Sequence, residues 1–403
     1  MWADDIILFS KSEEGLQCML DNLFKYTQDN GMKINADKTK VMIFNKTGKF
    51  YKRTFRVGEE QIFTTNEYKY LGFLVTPSGS IAAGINNLRD RALKAYHKLK
   101  NGLGYYFYSY PRITCYLFDT MVKPILLYCS DFWGCLKLDE NNPIDNTHMR
   151  FCEDMFGVQR QTSNTGVFLE LGRLPLTEYA KKNCIKNWRR IHIQGKANKL
   201  ILLSHRESLI QKLIWSESVS VCLNTMGIQV PQRGKKLLEN SAWERMSNIF
   251  YQTTFVEVNR EGSKLRTYKL LKTDIGWEGY LDEVKNFSRR RAITKIRLSN
   301  HRLMIEKGRH ENLQRGDRVC PFCTQRVVED ESHFIFDCPT YSHLRAQLYL
   351  EIEKTFPLFN LLPIADKLKI ALSSIETVNY TGIFLEKAIS LREFLICKPR
   401  KNV

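Results

Sequence analysis

The sequence predicts an α+β chain: a short strand-bearing unit, then a mainly helical bulk carrying a small metal-binding module. Three observations carry this. Short apolar runs broken by turn residues crowd positions 1–80, and helical stripes with a basic bias dominate from 81 onward. Near position 320, a Cys-x2-Cys pair is followed by a His and a Cys at chelating spacing. The 403 residues leave room for two or three domains with real cores. A formal charge of +18 points to a polyanionic partner, nucleic acid ahead of an anionic membrane. No apolar run approaches the roughly 18 residues of a membrane span, so no membrane partner is expected. The eleven cysteines are odd in number and mostly sit in apolar helical contexts. With no secretion signal beside them they read as reduced thiols inside the cell.

The chain begins Met1-Trp2-Ala3-Asp4-Asp5-Ile6-Ile7-Leu8-Phe9. The continuous apolar run Ile6 to Phe9 predicts a strand buried on both faces, since a half-buried strand would alternate. Asp4 and Asp5 at its mouth are hard oxygen ligands suited to Mg²⁺ in phosphoryl transfer; the same pair also suits a polar turn or a helix N-cap. Ser12 predicts an N-cap, with Glu13 and Glu14 in the first turn favourable against the helix dipole. Leu16, Met19, Leu20, Leu23 and Phe24 continue at helical spacing until Asn30-Gly31. Strands are expected at Val41 to Phe44, Thr54 to Val57 and Tyr68 to Val75, with Gly58 marking a turn.

Residues 80 to 105 predict one amphipathic helix. Ile85, Leu88, Ala92, Tyr96 and Leu99 are spaced 3, 4, 4 and 3, an apolar stripe. Arg89, Arg91, Lys94, Lys98 and Lys100 populate the rest, a face that either follows a phosphate backbone or is simply solvated. From 106 to about 215 the chain reads as helical and aromatic-rich, with Lys181, Lys182, Lys186, Arg189 and Arg190 around Ile185, Trp188 and Ile191. Aromatics beside basic residues can stack bases, although packing accounts for most of them. His97, His148 and His192 have no partner at ligand spacing. Residues 216–287 read as a helical linker region broken by Gly227, Pro231, Gly234 and Lys235-Lys236.

From 288 the chain turns basic again, with Arg289, Arg290, Arg291, Lys295 and Arg297, and that run favours the nucleus over the cytoplasm. Cys320-Pro321-Phe322-Cys323 follows, then nine residues, His333, four residues and Cys338. Two thiolates two residues apart grip one tetrahedral Zn²⁺, and a His and a Cys spaced by four close the shell. Four ligands leave no open position, which makes the metal structural. His343 is the rival to His333. Zinc is expected to order residues 315–345, because binding free energy at such a site is folding free energy. Residues 346–403 read as a helical tail ending in Lys398-Pro399-Arg400-Lys401.

These motifs carry a resemblance. Trp2-Ala3-Asp4-Asp5-Ile6-Ile7-Leu8-Phe9 resembles the aromatic-Ala-Asp-Asp hairpin of the reverse transcriptases of non-LTR (LINE-type) retrotransposons. Gly31-Met32-Lys33-Ile34-Asn35 with Lys38-Thr39-Lys40 resembles the family's second signature, and Tyr68-Lys69-Tyr70-Leu71-Gly72 its primer-gripping hairpin. The Cys320, Cys323, His333, Cys338 segment, with Glu331-Ser332-His333-Phe334 and Cys338-Pro339-x-Tyr341, resembles the zinc segment at the C-terminus of many members. The resemblance implies a partial palm at 1–80, a basic helical thumb and connector at 81–215, the linker region at 216–287, a zinc module at 288–345 and the tail at 346–403. It implies RNA-directed DNA polymerase chemistry, with Asp4, Asp5 and an earlier palm aspartate holding Mg²⁺. Lys38 would meet incoming phosphates. Lys69, Arg89, Arg91, Lys94, Lys98, Arg289, Arg290 and Arg291 would contact RNA or DNA, as an RNA–DNA hybrid or the element's own RNA.

One departure matters. Only Met1 and Trp2 represent the strand that should precede the Asp-Asp turn, so a C-terminal fragment inactive alone is expected, with a complementary polymerase fragment as a possible partner. The alternative is a non-catalytic nucleic-acid-binding protein that uses the basic helices and the zinc module.

Overall fold

Ser12 starts the first helix, α1 (Glu13–Asp29), as its residue type requires. Its hydroxyl accepts from the Gly15 N–H at 3.0 Å, and the two glutamates occupy the first turn. Gly31, with φ of 65°, follows the helix end. Two antiparallel hairpins come next: β1 (Thr54–Val57) with β2 (Glu60–Phe63), and β3 (Tyr68–Tyr70) with β4 (Phe73–Val75). Gly58 turns the first hairpin with φ of 61°, and a Cβ there would lie 2.5 Å from the Phe24 ring, so both backbone and packing demand glycine. Leu71 and Gly72 turn the second hairpin with φ of 44° and 86°. Two consecutive positive φ values match the twist of a tight hairpin.

This computed structural model describes residues 5–138, 141–194, 199–228 and 239–397. The chain divides into two compact units, Met1–Arg91 and Ala92–Val403. The core of the first is Leu20, Val41, Phe55, Val57 and Ile62, with Leu8, Leu16, Phe24, Ile34 and Ala36 packed against it.

The opening stretch departs from expectation. Ile6, Ile7 and Phe9 are exposed, and neither two-stranded sheet includes them. Leu8 alone packs inward. A continuous apolar run becomes a two-faced buried strand only when strands flank it and helices cover it, and these small hairpins supply neither. Val41 to Phe44 likewise reduces to a single parallel bridge from Val41 to Thr64.

Helix α2 (Ala82–Leu103) buries all five stripe residues, Ile85, Leu88, Ala92, Tyr96 and Leu99. The second unit is helical. In its core the Phe118 and Phe151 rings stack at 4.0 Å, and Phe107, Trp133 and Leu169 are fully buried. Residues 216–228 and 239–259 do not behave as a linker. Val219, Leu223, Met226, Ala242 and Met246 share one core with Cys184, Ile185 and Trp188. Gly234 and Lys235-Lys236 lie outside the described residues, as does Lys398-Pro399-Arg400-Lys401. No described helix is long and apolar enough to cross a membrane.

One cation of the basic run is a core residue. Arg297, with no exposed side-chain surface, binds Glu170 at 2.6 Å, Glu278 at 2.5 Å and the Leu372 carbonyl at 2.9 Å. Such a group is bearable inside only because every guanidinium edge is matched.

Candidate metal centre and basic faces

Two extended segments meet at the antiparallel bridge Val319–Val328, and the Cys320 N–H donates to the Val327 carbonyl at 2.8 Å. This places Cys320 and Cys323 at the tip of a knuckle. His333 opens a single wide turn, His333–Asp337, closed when the Cys338 N–H donates to the His333 carbonyl at 2.8 Å. The Asp330 carboxylate accepts from the His333 N–H at 2.9 Å. Pro339 then ends the turn and the helix Ser342–Thr355 follows.

The two arms bring Cys320, Cys323, His333 and Cys338 together, with all ligand atoms within 4.8 Å of one another. Cys320 Sγ is 3.9 Å from Cys338 Sγ, and Cys323 Sγ is 3.5 Å from His333 Nε2. A tetrahedral Zn²⁺ would set sulfur–sulfur edges of about 3.8 Å and sulfur–nitrogen edges of about 3.6 Å, given its usual bond lengths. The donor set therefore fits a structural zinc. His343 is exposed and outside the group, so the imidazole that lies with the three thiols is that of His333. Burial pushes the Cys320 thiol up to about 12, while backbone hydrogen bonds from Phe322 and Cys323 act the other way. Burial also lowers the His333 pKa, favouring the neutral imidazole that a metal needs.

Residues without ligand atoms hold this geometry. The Arg345 guanidinium, 6% exposed, donates to the Ile335 carbonyl at 2.7 Å and the Cys338 carbonyl at 2.8 Å. Glu329 accepts from Arg392 Nε at 2.8 Å and Nη2 at 2.7 Å, and from the Met304 N–H at 2.7 Å. Arg392 also lies over the Phe322 ring inside the knuckle, at 5.4 Å. Glu331 receives His301 Nε2 at 2.7 Å and Arg266 Nη2 at 2.5 Å. Burial opposes its charge, but the hydrogen bond and proximity of His301, with the Arg266 charge, outweigh this and hold the carboxyl at about 2. None of Arg266, Glu329, Arg345 or Arg392 is singled out by spacing. The only local signal is the acidic run Glu329-Asp330-Glu331 just before His333.

The expected nucleic-acid contacts divide sharply. Lys38, Lys69, Lys94, Lys98 and Arg291 are exposed. Arg89 is half-buried and chelates Asp90 at 2.8 Å, and Arg91 donates to the Gly72 carbonyl at 3.4 Å. Arg289 pairs with Glu386 at 3.2 Å. Arg290 is a correction: it is 3% exposed, and it donates to the Val284 carbonyl at 2.7 Å and to the Tyr108 carbonyl. Its guanidinium serves the fold and cannot reach a phosphate. Asp4 lies outside the described residues and Asp5 is exposed, so the pair defines no geometry for Mg²⁺.

Residues 1–75 match the family described as reverse transcriptase (RNA-dependent DNA polymerase). The chain is 34% identical over 88 residues to a retrovirus-related Pol polyprotein from a type-2 retrotransposable element of Drosophila melanogaster, covering 20% of this chain and 8% of that protein. It is 30% identical over 134 residues to a putative uncharacterized transposon-derived protein of Caenorhabditis elegans, covering 33% of this chain and 47% of that one. The chain thus spans less than half the length of either relative. No solved structure matches it. The N-terminal segment is therefore similar to the reverse-transcriptase class. The protein is related to the reverse transcriptases of non-LTR retrotransposons.

Proposed function

We propose that this chain serves RNA-directed DNA synthesis by a non-LTR retrotransposon. Its own contribution is to hold RNA and DNA strands with a basic helical unit ordered by zinc. The observation that carries this reading is the coexistence of a reverse-transcriptase segment at 1–75 with three thiols and an imidazole at tetrahedral spacing. Residues 1–75 would form part of the palm, with Lys38 and Lys69 facing phosphates. Asp4 and Asp5 are two of the three carboxylates that hold Mg²⁺ in such a site. The metal supplies activation of the primer 3′-hydroxyl and charge stabilisation during in-line displacement of pyrophosphate. Extension needs all three carboxylates together, and a complementary polymerase fragment is the proposed partner for it. Action in the nucleus belongs to the same proposal.

A second reading is a non-catalytic nucleic-acid-binding protein. It is favoured by the placement of the metal group in a unit with its own core, separate from residues 1–91.

The test is zinc content together with binding of a labelled RNA–DNA hybrid across a salt series. One zinc per chain, lost in Cys320→Ser, with affinity falling steeply as salt rises, supports strand binding. Absence of both zinc and salt-dependent binding overturns it. Primer extension on addition of a fragment carrying the third carboxylate, abolished by Asp5→Asn, separates the polymerase reading from the second.

A further inference from the structure

From Ala92 to Phe118 the sequence contains Lys94, Lys98, Lys100 and Arg112 and no Asp or Glu. The same stretch leaves four tyrosine rings in solvent: Tyr105 at 67%, Tyr106 at 64%, Tyr110 at 49% and Tyr116 at 66% exposure. Burying aromatic surface is strongly favourable, so four open rings in twelve residues are a patch that calls for an occupant.

The arrangement is braced from beneath. Phe107 is fully buried, edge-on to Phe151 at 6.1 Å, and Lys100 reaches both the Phe107 ring at 5.6 Å and Asp154 at 2.8 Å. Tyr108 packs on Phe287 at 4.6 Å. These inward neighbours fix the short helix α3 (Tyr106–Ser109) and turn Tyr105, Tyr106 and Tyr110 outward. Pro111 opens helix α4 (Pro111–Met121) and holds Tyr110 extended, at φ −126° and ψ 76°.

The Tyr106 and Tyr110 rings lie only 18° from parallel, with centroids 6.3 Å apart. That is an offset stack within the ordinary range of contacting rings, so the pair presents one joined aromatic surface to solvent. Beside the rings, Lys94, Lys98, Asn101 and Tyr105 follow at intervals of four, three and four, and all four are exposed, so an exposed cationic ridge leads to the aromatic patch.

We infer that the exposed and mutually contacting rings of Tyr105, Tyr106 and Tyr110 form a platform on which unpaired bases of a single nucleic-acid strand stack, with Lys94 and Lys98 meeting its phosphates. Exposed rings plus an acid-free cationic ridge match the stacking-and-charge mode of sequence-tolerant single-strand binding. A duplex hides its base faces and gains nothing from such rings. The inference rests on the strand-binding function proposed above and assigns part of it to named residues.

The experiment compares the full chain with Tyr106→Leu/Tyr110→Leu, Tyr106→Phe/Tyr110→Phe and Lys94→Gln/Lys98→Gln. The probes are a single-stranded RNA and a single-stranded DNA containing 2-aminopurine, and a fully paired RNA–DNA hybrid. The leucine pair should bind the single strands roughly tenfold or more weakly and lose the fluorescence quenching of 2-aminopurine, with the salt slope unchanged. The phenylalanine pair should keep both affinity and quenching, because it retains the ring faces. The glutamine pair should lower the salt slope. Hybrid affinity of the leucine pair should match the parent, and since the rings are exposed, unchanged thermal melting controls for folding. Comparison of the RNA and DNA probes identifies which strand the platform prefers.

Parent-like single-strand binding by the leucine pair, with hybrid binding intact, overturns the platform and leaves the proposed function standing, pointing instead to a protein partner for the patch. Failure of the parent to bind any of the three probes overturns both.

Discussion

Replacing Arg392 by Leu tests whether the helix Val378–Cys397 holds the metal module in place. Arg392 is 4% exposed, and it gives Glu329 two of that carboxylate's three hydrogen bonds, leaving only the Met304 N–H when it is removed. A charge stranded in this way, with no exposed side-chain surface on Glu329, costs about 3–5 kcal/mol. The Phe322 ring would also lose its cation at the knuckle. Urea unfolding of the zinc-saturated chain should show that loss, and zinc should pass faster to a colorimetric chelator. Adding Glu329→Gln to Arg392→Leu removes the stranded charge but keeps an oxygen for the Met304 N–H, so the double variant should regain a large part of the stability. The coupling between the two sites should then be clearly non-additive. A cost below about 1 kcal/mol for Arg392→Leu, or a double variant no better than the single, would show that this pair does not anchor the module.

Four further outcomes follow from the same packing. Zinc chelation should raise hydrogen exchange across residues 315–345 while leaving helix Glu13–Asp29 unchanged, and a uniform response would contradict a local metal-ordered module. His148 is fully buried and accepts from Arg173 at 2.9 Å; burial, with the positive charges of Arg173 and Lys123, holds its pKa well below the usual histidine value. The unfolded chain therefore binds the extra proton first, and stability should fall as pH drops below about 6.5, by up to about 1.4 kcal/mol per unit, with no contribution above. His148→Gln keeps an acceptor and should flatten that slope; an unchanged profile would assign it to other groups. Arg290→Leu should cost about 1–3 kcal/mol through the stranded Val284 and Tyr108 carbonyls without altering the salt slope of RNA binding. Arg291→Gln, at an exposed position, should do the reverse and lower that slope by about 1.

The sequence by itself determined what is local. Ser12 and the two glutamates started a helix where expected, and the stripe from Ile85 to Leu99 is buried at all five positions. Tyr68 to Val75, expected from its residues as one strand, is instead the hairpin that the resemblance implied, because positive φ at Leu71 and Gly72 turns the chain. Chelating spacing was enough to single out Cys320, Cys323, His333 and Cys338, whose ligand atoms the fold brings within 4.8 Å of one another.

Tertiary structure alone decided which charges and apolar runs are used, and against which partners. Arg290, Arg291 and Arg297 look alike in a basic run, yet Arg297 is buried on Glu170, 127 positions away, Arg290 caps carbonyls, and Arg291 faces water. The stretch Ile6 to Phe9 has the composition of a central strand, but burial requires flanking strands that these hairpins do not provide. Residues 216–228 carry only a short stripe, and their place in the core became visible only through Cys184, Ile185 and Trp188 from another helix. The Arg392 clamp on Glu329 spans 63 positions. Periodicity reports which face of an element is apolar; the element that covers it, and the carboxylate that meets each cation, are fixed by packing at long range in the chain.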